Sequence, residues 1–168
     1  MRKVFLPFLL LCVLQMYSAS YNFTRIDNTN GLSNNQIESI FKDSRGFMWF
    51  GTNFGLNRFD GYQFKVYKSD KNDSTTLLNN AIAEIKEDIN GDLWMKGNPE
   101  YVVYDIRSEK FIRNLSIKLK PLGIGFTPVL VEFDKDKNYY LYQQNVGVFK
   151  YDIKTRKIKS FRQGSGVN

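Results

Sequence analysis

The chain has 168 residues, enough for one ordinary domain with a modest core, and 42% are hydrophobic and 15% aromatic, a balance that excludes bulk disorder and suits strands. The formal net charge is +7, with Arg2 and Lys3 contributing two of those units; the other basic residues are scattered in runs of no more than three, which argues for a solvated basic surface and against nucleic acid. Histidine is absent and Cys12 is the single cysteine, which excludes a Ser-His-Asp or Cys-His catalytic arrangement and, beyond the first twenty residues, zinc held by His or Cys.

The chain opens with Arg2 and Lys3, an almost unbroken apolar run over 4–14, and the small residues Ser18, Ala19 and Ser20. This is the three-part layout of a secretory signal peptide, with cleavage expected after Ser20. Eleven apolar residues are too few to span a bilayer, and Leu10 and Leu11 are the wrong neighbours for lipid attachment at Cys12. The expectation is a signal peptide over 1–20 that engages the export machinery only, and a mature periplasmic chain over 21–168. That chain has no thiol and no disulfide, as is common in a bacterial periplasm.

From residue 34 onward the sequence repeats. Residues 36–42 alternate as a strand, Asp43-Ser-Arg-Gly46 is a turn, and 47–52 is a second strand whose flanking apolar residues suggest burial on both faces. Residues 53–55 turn the chain, 56–59 form a third strand, Asp60-Gly61 signals a hairpin, and 63–68 form a fourth. The same order returns over 79–114, where Asp88, Gly91 and Trp94 stand 45 residues beyond Asp43, Gly46 and Trp49. A third, degenerate copy spans 127–162, with Asp134 kept and Lys137 and Tyr140 in place of glycine and tryptophan. Residues 69–76 and 120–128 read as loops, and no useful helical period follows Ser20. A turn signal and an aromatic recurring every 40 to 50 residues mark a β-propeller. The predicted fold is therefore all-β: about three four-stranded antiparallel blades in an incomplete ring. Three blades leave two unpaired edges and a half-exposed core, so the mature chain is expected to be poorly soluble or oligomeric, its partner being further blades or another chain.

The repeated residues have structural roles first. Trp49 and Trp94 are expected to fill the gaps between blades, and Asp43 and Asp88, with Gly46 and Gly91, to hold turns through backbone N–H groups. A catalytic carboxylate is not expected once per blade, so no enzyme and no cofactor is predicted. Asp134-x-Asp136-x-Asn138 and Asp88-x-Asn90-x-Asp92 resemble the start of a calcium loop, but each lacks the sixth-position glycine and the twelfth-position glutamate; both read as hairpin turns, and no metal site is predicted. Asn22, Asn72 and Asn114 head glycosylation triplets, which asparagine-rich turns generate by chance. One blade end collects amides at the entry to strand one and the turn after strand two. Asn35, Asn53, Asn80 and Asn98, together with Asn34, Asn79 and a nearby Arg58, form the candidate ligand-binding face, since amides that donate and accept suit sugar hydroxyls. Asparagine's preference for turns is the competing explanation.

The run NGLSNNQIESIFKDSRGFMWFGTNFGLNRFDGYQFKVY from Asn30 closely resembles the two-component regulator propeller, the periplasmic sensor region of hybrid two-component systems of Bacteroidetes. The residues that carry the likeness are Leu32 to Asn35, Asp43 to Thr52 and Gly55 to Gly61. The second copy keeps Asp88, Gly91 and Trp94 but has Lys96-Gly97 for Gly-Thr, and the third is a faint match. The resemblance implies two seven-bladed propellers outside the inner membrane, followed by a linker, a membrane helix and cytoplasmic signalling domains, and sensing of glycan breakdown products. It implies no catalytic residues in the propeller. On this reading the chain is the N-terminal part of such a sensor, truncated; the alternative is a stand-alone exported propeller that binds a protein or a carbohydrate without signalling.

Overall fold

The structure is a computed structural model that describes residues 23–97 and 100–162; the leader predicted over 1–20, and Asn98, lie outside the described residues. β1 (Ile37–Lys42), β2 (Met48–Thr52), β3 (Gly55–Phe59) and β4 (Phe64–Tyr67) form one antiparallel sheet in chain order. β5 (Glu84–Glu87), β6 (Leu93–Lys96), β7 (Tyr101–Asp105) and β8 (Lys110–Ile112) form a second, and β9 (Leu130–Phe133), β10 (Tyr139–Gln143), β11 (Gly147–Asp152) and β12 (Lys157–Arg162) a third. Three four-stranded meanders are three propeller blades. Their first strands are neighbours, β5 packing against β1 on one side and β9 on the other.

The aspartate of each repeat builds its turn in one way. Asp43 Oδ1 accepts the N–H groups of Arg45 (3.0 Å) and Phe47 (2.9 Å). Asp88 Oδ1 accepts those of Asn90 (2.8 Å) and Asp92 (3.1 Å), and Asp134 Oδ1 those of Asp136 and Asn138, both at 2.9 Å. The fourth turn position must be left-handed: Gly46 has φ +94° and Gly91 φ +82°, which glycine adopts without steric cost. Lys137 adopts φ +62° at the same place, at about 1–2 kcal/mol for an L-residue.

The second carboxylate oxygen reaches into the blade. Asp43 Oδ2 accepts the Trp49 indole N–H at 2.9 Å, and Asp88 Oδ2 that of Trp94 at 3.1 Å. In the third blade, where residue 140 is tyrosine, the Asn138 side-chain amide donates to Asp134 Oδ2 instead, at 2.9 Å. The carboxylate thus fixes the turn and orients the ring that packs beneath it.

Two cores result, one in each gap between blades. The first gathers Trp49 and Leu56 from blade one with Ile85, Leu93, Met95, Val102, Tyr104 and Phe111 from blade two. The Trp49 ring lies 5.3 Å from Tyr104 and 5.8 Å from Tyr67. The second core joins Trp94, Tyr101 and Val103 to Val131, Tyr139, Leu141 and Tyr151, with Trp94 5.9 Å from Tyr139. Period-two alternation sends one set of blade-two residues to each neighbour.

Two particulars differ from the sequence reading. A short helix, α1 (Ser116–Leu119), stands where no helix was expected, and a 3-10 turn at Lys120–Leu122 opens the expected loop; they bury Leu119, with Leu115 and Ile124, in the second core, and four helical residues leave no period to detect. β2 is not buried on both faces, because Met48 and Phe50 remain partly exposed on the side of blade one away from blade two. On blade one, part of that face is covered by the preceding segment: Leu32 is buried, and Ser33 N–H donates to Asn57 Oδ1 at 2.8 Å.

Candidate functional site

The strand register sorts the candidate residues between two ends of the blades. Ile37 pairs with Thr52 and Thr52 with Gly55, so the entry to β1 and the β2–β3 turn share one end. Asn35 and Asn53 lie there. Asn80 joins them, because its carbonyl accepts the Gly55 N–H at 2.9 Å. Arg58 does not: it pairs with Trp49 towards the other end, its guanidinium 4.7 Å from the Phe47 ring centre and 3.6 Å from Glu109 in the β7–β8 turn. The expectation of Arg58 beside the asparagines is corrected by register, since three residues of β3 separate it from the turn at that end.

The paired asparagines do repeated structural work. Asn34 Oδ1 accepts the Gln36 N–H at 2.7 Å and Asn79 Oδ1 the Ala81 N–H at 3.0 Å; both are side-chain turns that start a blade. Asn35 Oδ1 accepts the Asn28 N–H and Asn80 Oδ1 the Ser69 N–H, each at 2.8 Å, so the second asparagine ties down the segment leading in.

Beside Asn53 the structure places residues that the sequence reading passed over. Glu38 Oε1 accepts hydrogen bonds from the Asn53 and Gln36 side-chain amides, both at 3.0 Å. Phe54 follows Asn53 in the turn, with 58% of its surface exposed. Gln36, Glu38, Asn53 and Phe54 combine amides, a carboxylate and an open aromatic ring. Amides and a carboxylate can exchange hydrogen bonds with hydroxyl groups, and an open ring offers a face for stacking. The available signal was a large aromatic in a two-residue turn, where nothing obliges it to be buried.

The other end holds a charged cluster. Lys118 Nζ of α1 donates to Asp92 Oδ2 at 2.6 Å and to Asp105 Oδ2 at 2.7 Å, beside Asn90 and Arg107. Burial pushes the Asp105 carboxyl up, but the Lys118 ammonium and the Ser108 N–H and hydroxyl outweigh it and hold the group at about 2. Burial likewise opposes the Lys118 charge, and the two carboxylates overcome it and raise that group. Because Asp105 is depressed on folding, its contribution is fully present above the ordinary carboxylate range and is lost as pH falls towards 2. The melting temperature should therefore fall between pH 4 and pH 2, and in Lys118→Met, where the carboxyl loses the ammonium that depresses it, that fall should be smaller. Identical melting profiles of the two proteins against pH would show the cluster to be energetically silent. Among the described residues no group of three or more His, Cys, Asp or Glu is placed to hold a metal ion.

Residues 31–54 match the family model for the two component regulator propeller. The match falls on the entry to blade one, on β1 and β2, and on the turn that follows. A histidine kinase of Formosa agariphila, "Histidine kinase P4", is 45% identical over 56 residues, which is 33% of this chain and 4% of that protein. The chain therefore spans a small fraction of the curated relative it matches. Among solved structures, the extracellular domain of a putative hybrid two component system of B. thetaiotaomicron is similar at 20% identity and a TM-score of 0.40, over 82% of this chain and 26% of that one. A catalytically inactive variant of virginiamycin B lyase from Staphylococcus aureus is similar at 19% identity and a TM-score of 0.45, over 80% of this chain and 44% of that one. Among the described residues no helix is long and apolar enough to cross a membrane.

Proposed function

We propose that the chain is the N-terminal part of a periplasmic sensor propeller of a hybrid two-component regulator, and that the asparagine end of its blades helps to recognise a glycan-derived signal. The regulator-propeller repeat of blade one supports the sensor reading. The observation that carries the ligand class is the exposed Phe54 ring in the same turn as Asn53, next to the Gln36–Glu38–Asn53 network. A pyranose laid on the ring meets amide donors and a carboxylate acceptor within one turn's reach. Export follows from the leader read over 1–20, and the periplasm is where such fragments are met.

The test is titration of the full chain with a panel of neutral and uronic-acid hexasaccharides. At least one should bind. Phe54→Ala and Asn53→Ala should each raise its Kd about tenfold, the size of one stacking or charge-assisted contact of about 1–1.5 kcal/mol. Arg58→Ala, at the far end, should leave it unchanged. No binding across the panel, or equal affinity of wild type and Phe54→Ala, overturns the proposal.

A further inference from the structure

The connector from blade one to blade two, residues 69–77, reads Ser-Asp-Lys-Asn-Asp-Ser-Thr-Thr-Leu. Almost all of it is polar, yet its own hydrogen bonds give it one shape. Asp70 Oδ1 accepts the Asn72 N–H at 2.8 Å. Asp73 Oδ1 accepts the Thr75 N–H at 2.8 Å and the Thr75 hydroxyl at 2.7 Å. Thr76 Oγ1 accepts the Asp70 N–H at 2.8 Å and donates to the Asp73 carbonyl at 2.9 Å. The two ends are fixed by the blades: the Ser69 N–H donates to Asn80 Oδ1 at 2.8 Å, and Leu77 is fully buried in the first core. Side chains that bond the backbone two to six residues away hold such a loop without a sheet partner.

That shape aims five oxygens at one point, and the guanidinium of Arg113, the residue after β8, occupies it. Arg113 Nε donates to the Thr76 carbonyl at 3.0 Å. Arg113 Nη2 donates to the carbonyls of Asp70, Asp73 and Leu77, each at 2.8 Å, and to Thr76 Oγ1 at 2.9 Å. Three N–H bonds serve five oxygens, so some are shared between two acceptors. All five acceptors are uncharged, four carbonyls and one hydroxyl, and they meet one edge of a flat ion. A guanidinium offers that edge as a rigid fork, whereas an ammonium is a compact charge with its donors spread around it. Beside the cup, the Phe111 N–H donates to the Thr75 carbonyl at 2.9 Å. Thr75 and Thr76 wall a groove with Tyr67 and Phe111, so the connector closes the space between the outermost strands β4 and β8.

We propose that the connector 69–77 is a guanidinium-binding loop whose resident ligand is Arg113, and that this occupancy clasps the connector onto blade two. The loop carries its own internal bonds, so the cup outlasts the loss of the arginine and then takes a free alkylguanidinium in its place. Every group involved lies between blade one and blade two. The site is separate from the asparagine end and does not depend on what that end binds.

The experiment uses the chain expressed in full and purified as the host processes it, with amide hydrogen exchange followed by mass spectrometry. In Arg113→Ala, the amides of 69–77 and of Phe111 should exchange about tenfold faster than in wild type, the effect of one lost hydrogen-bonded clasp. Ethylguanidinium carries the atoms that this substitution removes. At about 10 mM, far below denaturing concentrations, it should restore the protection along a saturable curve and leave wild type unchanged. Ethylammonium, potassium and calcium at the same ionic strength should restore nothing. Arg113→Lys, which keeps the charge without the fork, should exchange as fast as Arg113→Ala. If Arg113→Ala does not fold in plain buffer, refolding with ethylguanidinium should recover the wild-type circular dichroism, and failure to do so counts against the clasp as unrescued exchange does. Wild-type protection in Arg113→Ala, or no response to ethylguanidinium, overturns the proposal. Equal rescue by ethylammonium or a metal ion overturns the ligand class.

Discussion

Replacing Trp49 with alanine is expected to lower the unfolding free energy by about 3–5 kcal/mol, the usual cost of removing a buried aromatic. The ring is fully buried at the centre of the first core, stacked near Tyr67 and tilted against Tyr104. No neighbouring chain segment is free to collapse into the space, because Tyr104 and Phe111 are themselves fixed by strand pairing with β6 and β7. Two effects add. The cavity removes dispersion contacts on every side, and the Asp43 carboxylate loses its indole donor. Trp49→Phe separates them: it keeps most of the ring and loses the hydrogen bond, so its cost should be nearer 1–2 kcal/mol. Urea unfolding followed by circular dichroism gives both values, and Trp94 remains as a fluorescent reporter of the second gap. Because neighbouring blades touch only at their shared gap, Trp49→Ala should expose the first core at lower urea than it exposes Trp94. A loss below 1 kcal/mol for Trp49→Ala would mean that the blades are not held together by their tryptophans.

The blades were legible because each strand is short, bounded by turn residues, and repeated at a constant spacing. Asp43, Gly46 and Trp49 stand 45 residues before their copies, and the structure gives each copy the same hydrogen bonds. What failed to show in the sequence depended on which neighbour a face meets. The pattern of β2 says that both of its sides are apolar, but only the register and the neighbouring blade decide that Trp49 is buried while Phe50 is partly open. Arg58 was misplaced for a related reason. A strand of five residues spans the whole blade at roughly 3.3 Å per residue, so a small offset along it moves a side chain from one end to the other. The helix at Ser116–Leu119 is held by tertiary contacts, the burial of Leu119 and the grip of Lys118 on Asp92 and Asp105, and a single turn carries no intrinsic helical preference that a sequence could reveal. At the candidate site, the asparagine clusters were visible but their use was not. Asn34 and Asn79 are spent on turns, while the exposed Phe54, with no repeat partner in the sequence, needed the structure to be noticed.

The three aspartates that begin the turns should differ in worth, with Asp88→Ala the most damaging, at about 3–5 kcal/mol. All three accept two backbone N–H groups of their own turn. They differ in what the other oxygen holds. Asp88 Oδ2 accepts both the Trp94 indole and, across the gap, the Tyr139 hydroxyl at 2.8 Å. Both donors are buried, and each one orphaned costs about 1–3 kcal/mol. Asp43 holds one buried indole and the guanidinium of Arg45, which is about one-third exposed and can be rehydrated, so Asp43→Ala should cost less. Asp134 holds only the Asn138 amide and should be the mildest of the three. Asp88→Asn tests the charge separately: the amide keeps the backbone acceptor but offers an N–H group to at least one of two donors, so a substantial part of the loss should persist. Tyr139 supplies an independent readout. Burial raises its pKa, and the Asp88 carboxylate raises it further by opposing a second negative charge. Asp88→Ala removes that second cause, so the phenol should ionise at lower pH in the variant than in the parent, as followed by ultraviolet difference absorption while the fold persists. Equal losses for the three alanine variants, or an unchanged Tyr139 titration, would show that the turn alone, and not the bond that crosses from blade two to blade three, accounts for the repeated aspartate.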